Sequence, residues 1–313
     1  MPEISSEANG LLRLVEHGDA MGATYSIVLF GHGRAKMEEA VNSAFVEVGR
    51  LDALLSNYRA ESEWSEVNRF AAQKPVRVSP ELFQLLSSCM AYSRASEGAF
   101  DIAVGPLMKL WGFYKGSGRL PSRTEVAAVL PYVGYRHIHL DADAGTVSFD
   151  CPGAELDPGG IGKGYAVDCM ADVLRQSGFQ IALVAGSAST IYGMGAPPTE
   201  PNGWLVGIKD PRNAHQTVAE VFLKNMSLST SGSYEKFFQA EGNIYSHIMD
   251  PRTGYPARES GSVSVIAPRT IDSEAWAKPY FINGREWAAK HKPEEFRVLF
   301  GEDRTEEPCA WLR

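Results

Sequence analysis

Cysteine is scarce in this 313-residue chain, which has four. Cys89, Cys151, Cys169 and Cys309 stand too far apart to form a Cys-x-x-Cys pair, so neither a zinc site nor a disulfide framework is implied. Reduced thiols in a cytoplasmic protein are expected. Positive charge is also short: 30 Lys and Arg face 38 Asp and Glu, a formal net charge of −8. That argues against a nucleic-acid partner, because a phosphate backbone is met by a basic face. A small phosphorylated ligand needs only a local cluster of donors. No apolar run approaches the roughly 20 residues that cross a bilayer, so no membrane insertion is expected. The opening Met1-Pro-Glu-Ile-Ser-Ser-Glu7 has neither the basic nor the apolar region of a signal peptide. Internal repeats, low-complexity segments and clear linkers are missing too, which predicts one domain over residues 1–313.

What is present reads as an ordinary globular chain, 44% hydrophobic and 22% charged. Met37, Val41, Ala44, Phe45, Val48, Leu51 and Leu55 keep a helical period over five turns. Residues 24–30, rich in β-branched and aromatic side chains, predict a strand. Ser79 as N-cap with Pro80 behind it predicts a helix that stops near Gly98. Another is predicted from about Gly164 to Ser177, with Gly178 as its stop. The second half reads as short strands at 181–184, 204–208, 218–223 and 262–266, separated by Pro and Gly clusters. No long helix is evident between them, so an antiparallel sheet and an α+β fold are expected. The tail 285–313 is charged, with Trp287, Phe296 and Trp311 as anchors onto the body.

Chemistry concentrates in a few segments. Tyr245-Ser-His-Ile-Met-Asp-Pro-Arg-Thr-Gly254 puts an imidazole, a carboxylate, a guanidinium and three hydroxyls in one sharp turn, a set suited to a polyanion. Asp157-Pro-Gly-Gly-Ile-Gly-Lys-Gly164 is a glycine-rich loop ahead of a helix. There, backbone N–H groups, the helix N-terminus and Lys163 suit an anion. It is not a Walker loop, because Gly164 stands where Ser or Thr is required. In the run 98–113, Asp101 reads as a cap on the turn at 104–111. Residues 228–234 read as a hydroxyl-rich, flexible loop able to line a groove. Asp272 or Glu274 within one turn of Lys278 reads as an ion pair on a solvated helix face.

Taken in order, Ala20-Met-Gly-Ala-Thr24, Leu55-Ser-Asn-Tyr-Arg-Ala-Glu-Ser62 and Gly98-Ala-Phe-Asp101 come first. Leu156-Asp-Pro-Gly-Gly-Ile-Gly-Lys-Gly-Tyr-Ala-Val-Asp168, Ser229-Thr-Ser-Gly232 and Ser246-His-Ile-Met-Asp-Pro-Arg-Thr-Gly254 follow. A chain with these blocks in this order resembles the FAD:protein FMN transferases of the ApbE type, over about residues 12–290. The resemblance implies a single α+β domain, mainly antiparallel sheet packed with helices and similar to the tunnelling fold. It implies cleavage of FAD and attachment of FMN to a Thr or Ser of an acceptor flavoprotein, with release of AMP. By the same resemblance, Met21, Tyr58, Ala99, Phe100, Asp101, Asp157, Lys163 and Met249 contact FAD, and His247 is the catalytic histidine beside the pyrophosphate. Gly160 matches a position whose oxygen helps hold magnesium.

The chain departs from that pattern at the metal. The family's Ala-Asp-Ala-x-x-Thr segment is here Ser273-Glu-Ala-Trp-Ala-Lys278, so Glu274 replaces an Asp, Ala277 offers no carboxylate and Lys278 replaces a hydroxyl. Gly186-Ser-Ala-Ser189 ends in serine where the family has an acid. Two alternatives to the transferase therefore stand: a non-catalytic FAD-binding protein, or an FAD pyrophosphatase that gives FMN to water. Either Glu274 and Gly160 hold magnesium, or the ammonium of Lys278 takes its place.

Overall fold

The computed structural model describes the chain except residues 1–2, 7–9, 115, 117, 258–260, 303–308 and 313. Its frame is a nine-stranded sheet in which every neighbouring pair is antiparallel. In sheet order the strands are Glu3–Ser6, Leu12–Ala20, Ala23–Gly31, Ile181–Gly186, Thr190–Met194, Met226–Gly232, Gly261–Ala267, Arg297–Glu302 and Cys309–Trp311. Sheet order follows chain order throughout, so each excursion between strands leaves the sheet and returns beside its starting point.

The helices are α1 (Arg34–Leu55), α2 (Glu63–Phe70), α3 (Pro80–Ala95), α4 (Gly105–Leu110), α5 (Arg123–Val129), α6 (Gly162–Gln176) and α7 (Thr270–His291). The periodic residues of α1 are buried at Met37, Val41, Ala44, Val48, Leu51 and Leu55, as one apolar stripe demands. Ser79 caps α3 by accepting the Leu82 N–H at 3.3 Å, with Pro80 in the first turn. A small sheet of Val76–Arg77, Ile138–Asp141 and Thr146–Phe149 lies within the helical insertion, residues 32–161, that follows the third strand of the main sheet. α5 opens with a capping box, Ser122 and Glu125, a signal present in the sequence and unused in the reading above.

Two sequence expectations are corrected here. Residues 228–234 are not a flexible loop: Met226–Gly232 is an inner strand, paired on both sides. The tail does not begin at 285. α7 runs on to His291, broken at Gly284 (φ 78°), and the last two strands enter the main sheet. Only the 272–278 stretch of α7 reads as helix in the sequence, because Pro279 and Gly284 interrupt the pattern beyond it. Its first half is also buried on several sides, at Ile271, Ser273, Glu274, Ala275 and Tyr280, so no polar stripe marks it.

α6 and α7 cap each other. Asp168 of α6 accepts the N–H groups of Thr270 (2.8 Å) and Ile271 (3.0 Å), in the first turn of α7. Glu274 of α7 accepts the Gly164 N–H at 2.6 Å, in the first turn of α6. Each carboxylate satisfies N–H groups that have no partner within their own helix and meets the positive end of the dipole. Asp168→Ala is expected to lower stability by about 1–2 kcal/mol, as loss of a cap does. Denaturant unfolding would measure it, and an unchanged midpoint would refute the cap.

Candidate functional site

A cavity of about 750 Å³ opens where the helical insertion, α6, α7 and the 234–251 region meet. Met21, Tyr58, Ala99, Phe100, Asp101, Asp157, Gly160, Lys163, His247, Met249 and Lys278 all line it. These residues come from six separate stretches of chain, so their convergence is a property of the fold. Glu274 and Ala277 do not line it.

Each wall is built by local chemistry. Met21 sits in the two-residue hairpin turn between Ala20 and Ala23, with φ of 52°, and Gly22 follows at 68°. Two successive positive φ values are what such a turn requires. Tyr58 stacks on Tyr114 with ring centroids 5.1 Å apart, and its hydroxyl donates to the Tyr114 carbonyl at 2.6 Å. Asp101 is buried and accepts the N–H groups of Ala103 (2.8 Å) and Tyr135 (2.6 Å). It therefore does not cap α4, whose N-cap is Val104. Burial pushes its carboxyl up to about 6 despite those two bonds. Burial likewise raises Asp157, which accepts from Gly159 N–H (2.8 Å) and the Asn57 amide (3.3 Å).

Two N–H groups of the glycine loop are already taken by side chains of the protein. The Gly159 N–H is taken by Asp157 and the Gly164 N–H by Glu274. Gly164 is required for packing, since a Cβ there would lie 2.6 Å from the Thr270 carbonyl oxygen. Full positive charge comes from side chains. The ammonium of Lys163 donates to Ser189 Oγ at 2.9 Å, and Lys236 and Lys278 line the same space. Ser189, noted above only as a missing acid, thus holds a lysine. Lys236 and Glu235 were missed altogether, because nothing in their local sequence sets them apart.

His247 is held by one carbonyl. Its backbone N–H donates to Lys236 O at 3.0 Å and its Nδ1 lies 3.1 Å from the same oxygen. A carbonyl only accepts, so Nδ1 carries the hydrogen and Nε2 is left as the acceptor of the neutral ring. Burial lowers the imidazole to about 4, and the ammonium groups of Lys278, Lys236 and Lys163 push the same way against the carbonyl. The ring is therefore an unprotonated base at neutral pH. The rest of its turn behaves otherwise: Arg252 is spent on Asp250 (2.8 Å) and Asn283 (2.7 Å) and does not line the cavity.

The solvated ion pair expected at 272–278 is not formed. The Tyr92 hydroxyl donates to Asp272, while Glu274 is 3% exposed and occupied by Gly164. The Lys278 ammonium donates to the carbonyls of Gly160 (3.1 Å) and Glu274 (3.2 Å). These residues do not fit a magnesium ion. One expected oxygen, that of Gly160, carries an ammonium; one carboxylate caps a helix; Ala277 has no donor. A cation cannot share a magnesium shell. The one other group close enough to share an ion among the described residues, Glu47, Glu81 and Cys169, lies off the cavity, and Arg50 already bridges its two carboxylates.

Comparison with known proteins bears on the same stretches. The model of the ApbE family matches residues 21–300. An FAD:protein FMN transferase of Klebsiella pneumoniae is 33% identical over 286 residues, covering 90% of this chain and 86% of its own length. One from Escherichia coli K12 is 30% identical, covering 88% and 79%. The crystal structure of the ApbE protein of Thermotoga maritima superposes with a TM-score of 0.85 at 28% identity, covering 92% of this chain and 94% of that one. The flavin transferase ApbE of Vibrio cholerae gives 0.83 at 26%, covering 96% of each.

Proposed function

The chain belongs to the ApbE family, and from that premise we propose that it is an FAD:protein FMN transferase whose cavity holds one FAD, with His247 as its base. The observation that carries the role of His247 is its tautomer: Nδ1–H is committed to Lys236 O, and Nε2 is free to take a proton. The acceptor's Thr or Ser oxygen attacks the phosphorus on the FMN side of the pyrophosphate as its proton passes to Nε2 of His247. A phosphoester bond forms, the bond to the bridging oxygen breaks, and AMP leaves with that oxygen and its electron pair. Positioning and charge neutralisation do most of the work in such a transfer. Lys163, Lys236 and Lys278 supply the charge around the cavity.

Met21, Tyr58, Ala99, Phe100 and Met249 offer apolar and aromatic surface to the flavin and adenine rings. Asp101 and Asp157 offer acceptors to ribityl or ribose hydroxyls. Residues of about 12–290 form one transferase domain in this reading. The four cysteines are unpaired, which supports a cytoplasmic location, and no described helix is long and apolar enough to cross a membrane.

Incubation with FAD and a threonine-bearing acceptor peptide tests the reading by mass spectrometry. The expected result is a peptide heavier by one FMN phosphoester and one AMP per modified peptide. Free FMN and AMP with unmodified peptide would mean a pyrophosphatase, and bound but intact FAD a carrier.

A further inference from the structure

Lys278 is held more firmly than a cavity-lining lysine needs to be. Two of its three N–H donors go to main-chain carbonyls, those of Gly160 and Glu274, which leaves one for the cavity. Its stem lies over Gly160, where a Cβ would sit 3.5 Å from Lys278 Cε. Its helix is anchored on the far side: Ser273 Oγ bonds to Ser227 Oγ (2.9 Å) and Ser229 Oγ (2.8 Å) of the sheet. The reciprocal caps of Asp168 and Glu274 fix α7 against α6, which carries Lys163. The ammonium is thus placed before any ligand arrives, on the very carbonyl that the family resemblance assigns to magnesium. An ammonium and a divalent ion cannot both occupy that position.

Resting on the FAD reading above, we propose that the Lys278 ammonium is a built-in cation for the FAD pyrophosphate, so that this protein binds FAD without a divalent ion. Lysine acts here as a point charge on phosphate. It neutralises one charge where a divalent ion would neutralise two, and the neighbouring Lys163 and Lys236 make up the remainder.

Calorimetric titration of the full chain decides this. FAD is expected to bind wild-type protein with the same dissociation constant, within about twofold, in EDTA and in millimolar magnesium chloride. Lys278→Met, which keeps the stem and removes the charge, is expected to weaken FAD about tenfold to a hundredfold in EDTA. Magnesium chloride alone, titrated into wild type, is expected to give no saturable binding, a readout that needs no variant to fold. Wild-type FAD affinity that collapses in EDTA, saturable magnesium binding to the wild type, or unchanged affinity in Lys278→Met would each overturn the proposal and leave the transferase reading standing. No FAD binding under any condition would overturn both.

Discussion

Replacing His247 by alanine is expected to leave FAD bound within a few-fold and to slow FMN transfer by about 10² to 10⁴, some 3–5 kcal/mol of barrier. The two outcomes separate because the ring holds no buried ligand charge in place; it receives a proton only as the acceptor hydroxyl attacks. The pH dependence provides a second check. A base works when unprotonated, and His247 is lowered to about 4, so the acid limb that it imposes on kcat/KM should lie near pH 4 and not near the ordinary histidine value of 6.5. Asp101, pushed up to about 6, lines the same cavity and titrates in between. Asp101→Asn distinguishes the two, since it removes a limb near 6 and spares one near 4. A His247→Ala protein that keeps more than about a tenth of the wild-type rate would remove the histidine from the chemistry.

Glu274→Ala should unfold at a temperature lower by roughly 3–5 °C, from a loss of about 2–3 kcal/mol spread over the unfolding entropy of a 313-residue chain. The carboxylate is 3% exposed and accepts a 2.6 Å bond from Gly164 N–H, so its removal strands a donor at the start of α6. Glu274→Gln keeps an acceptor at the same reach and should recover most of the loss. The metal-ligand reading expects something else: an effect that appears only when magnesium is added, with little change in the melting temperature. A melt of Glu274→Ala within about 1 °C of wild type would sink the capping role, given the usual worth of such a bond.

Local patterns reported much of this molecule correctly. The stripe on α1, the Ser79–Pro80 start of α3, the Gly178 stop after α6 and the β-branched strands are rules of short range, and each was met. Met21, Tyr58, Phe100, Asp101, Asp157, Lys163 and His247, which line the cavity, were legible through the ordered motifs of the family resemblance, whereas Lys236 and Glu235 were not. Other parts were not. Asp272, Glu274 and Lys278 have the spacing of a surface ion pair, and spacing alone cannot say which face of a helix is buried. Once α7 packs on α6 and the sheet, the same three side chains bond to Tyr92, to Gly164 and to the Gly160 carbonyl. Arg252, chemically ideal for a phosphate, is drawn off by Asp250 and Asn283.

The sequence by itself determined the antiparallel α+β class, from period and turn composition, and, through the ordered motifs of the family resemblance, the family and part of the cavity lining: Met21, Tyr58, Asp101, Asp157, Lys163 and His247. The tertiary structure alone decided how those residues are charged and spent. Desolvation, the tautomer imposed by one carbonyl, and the reciprocal caps between α6 and α7 all depend on groups as many as 110 residues apart in the chain, and no local pattern carries that information.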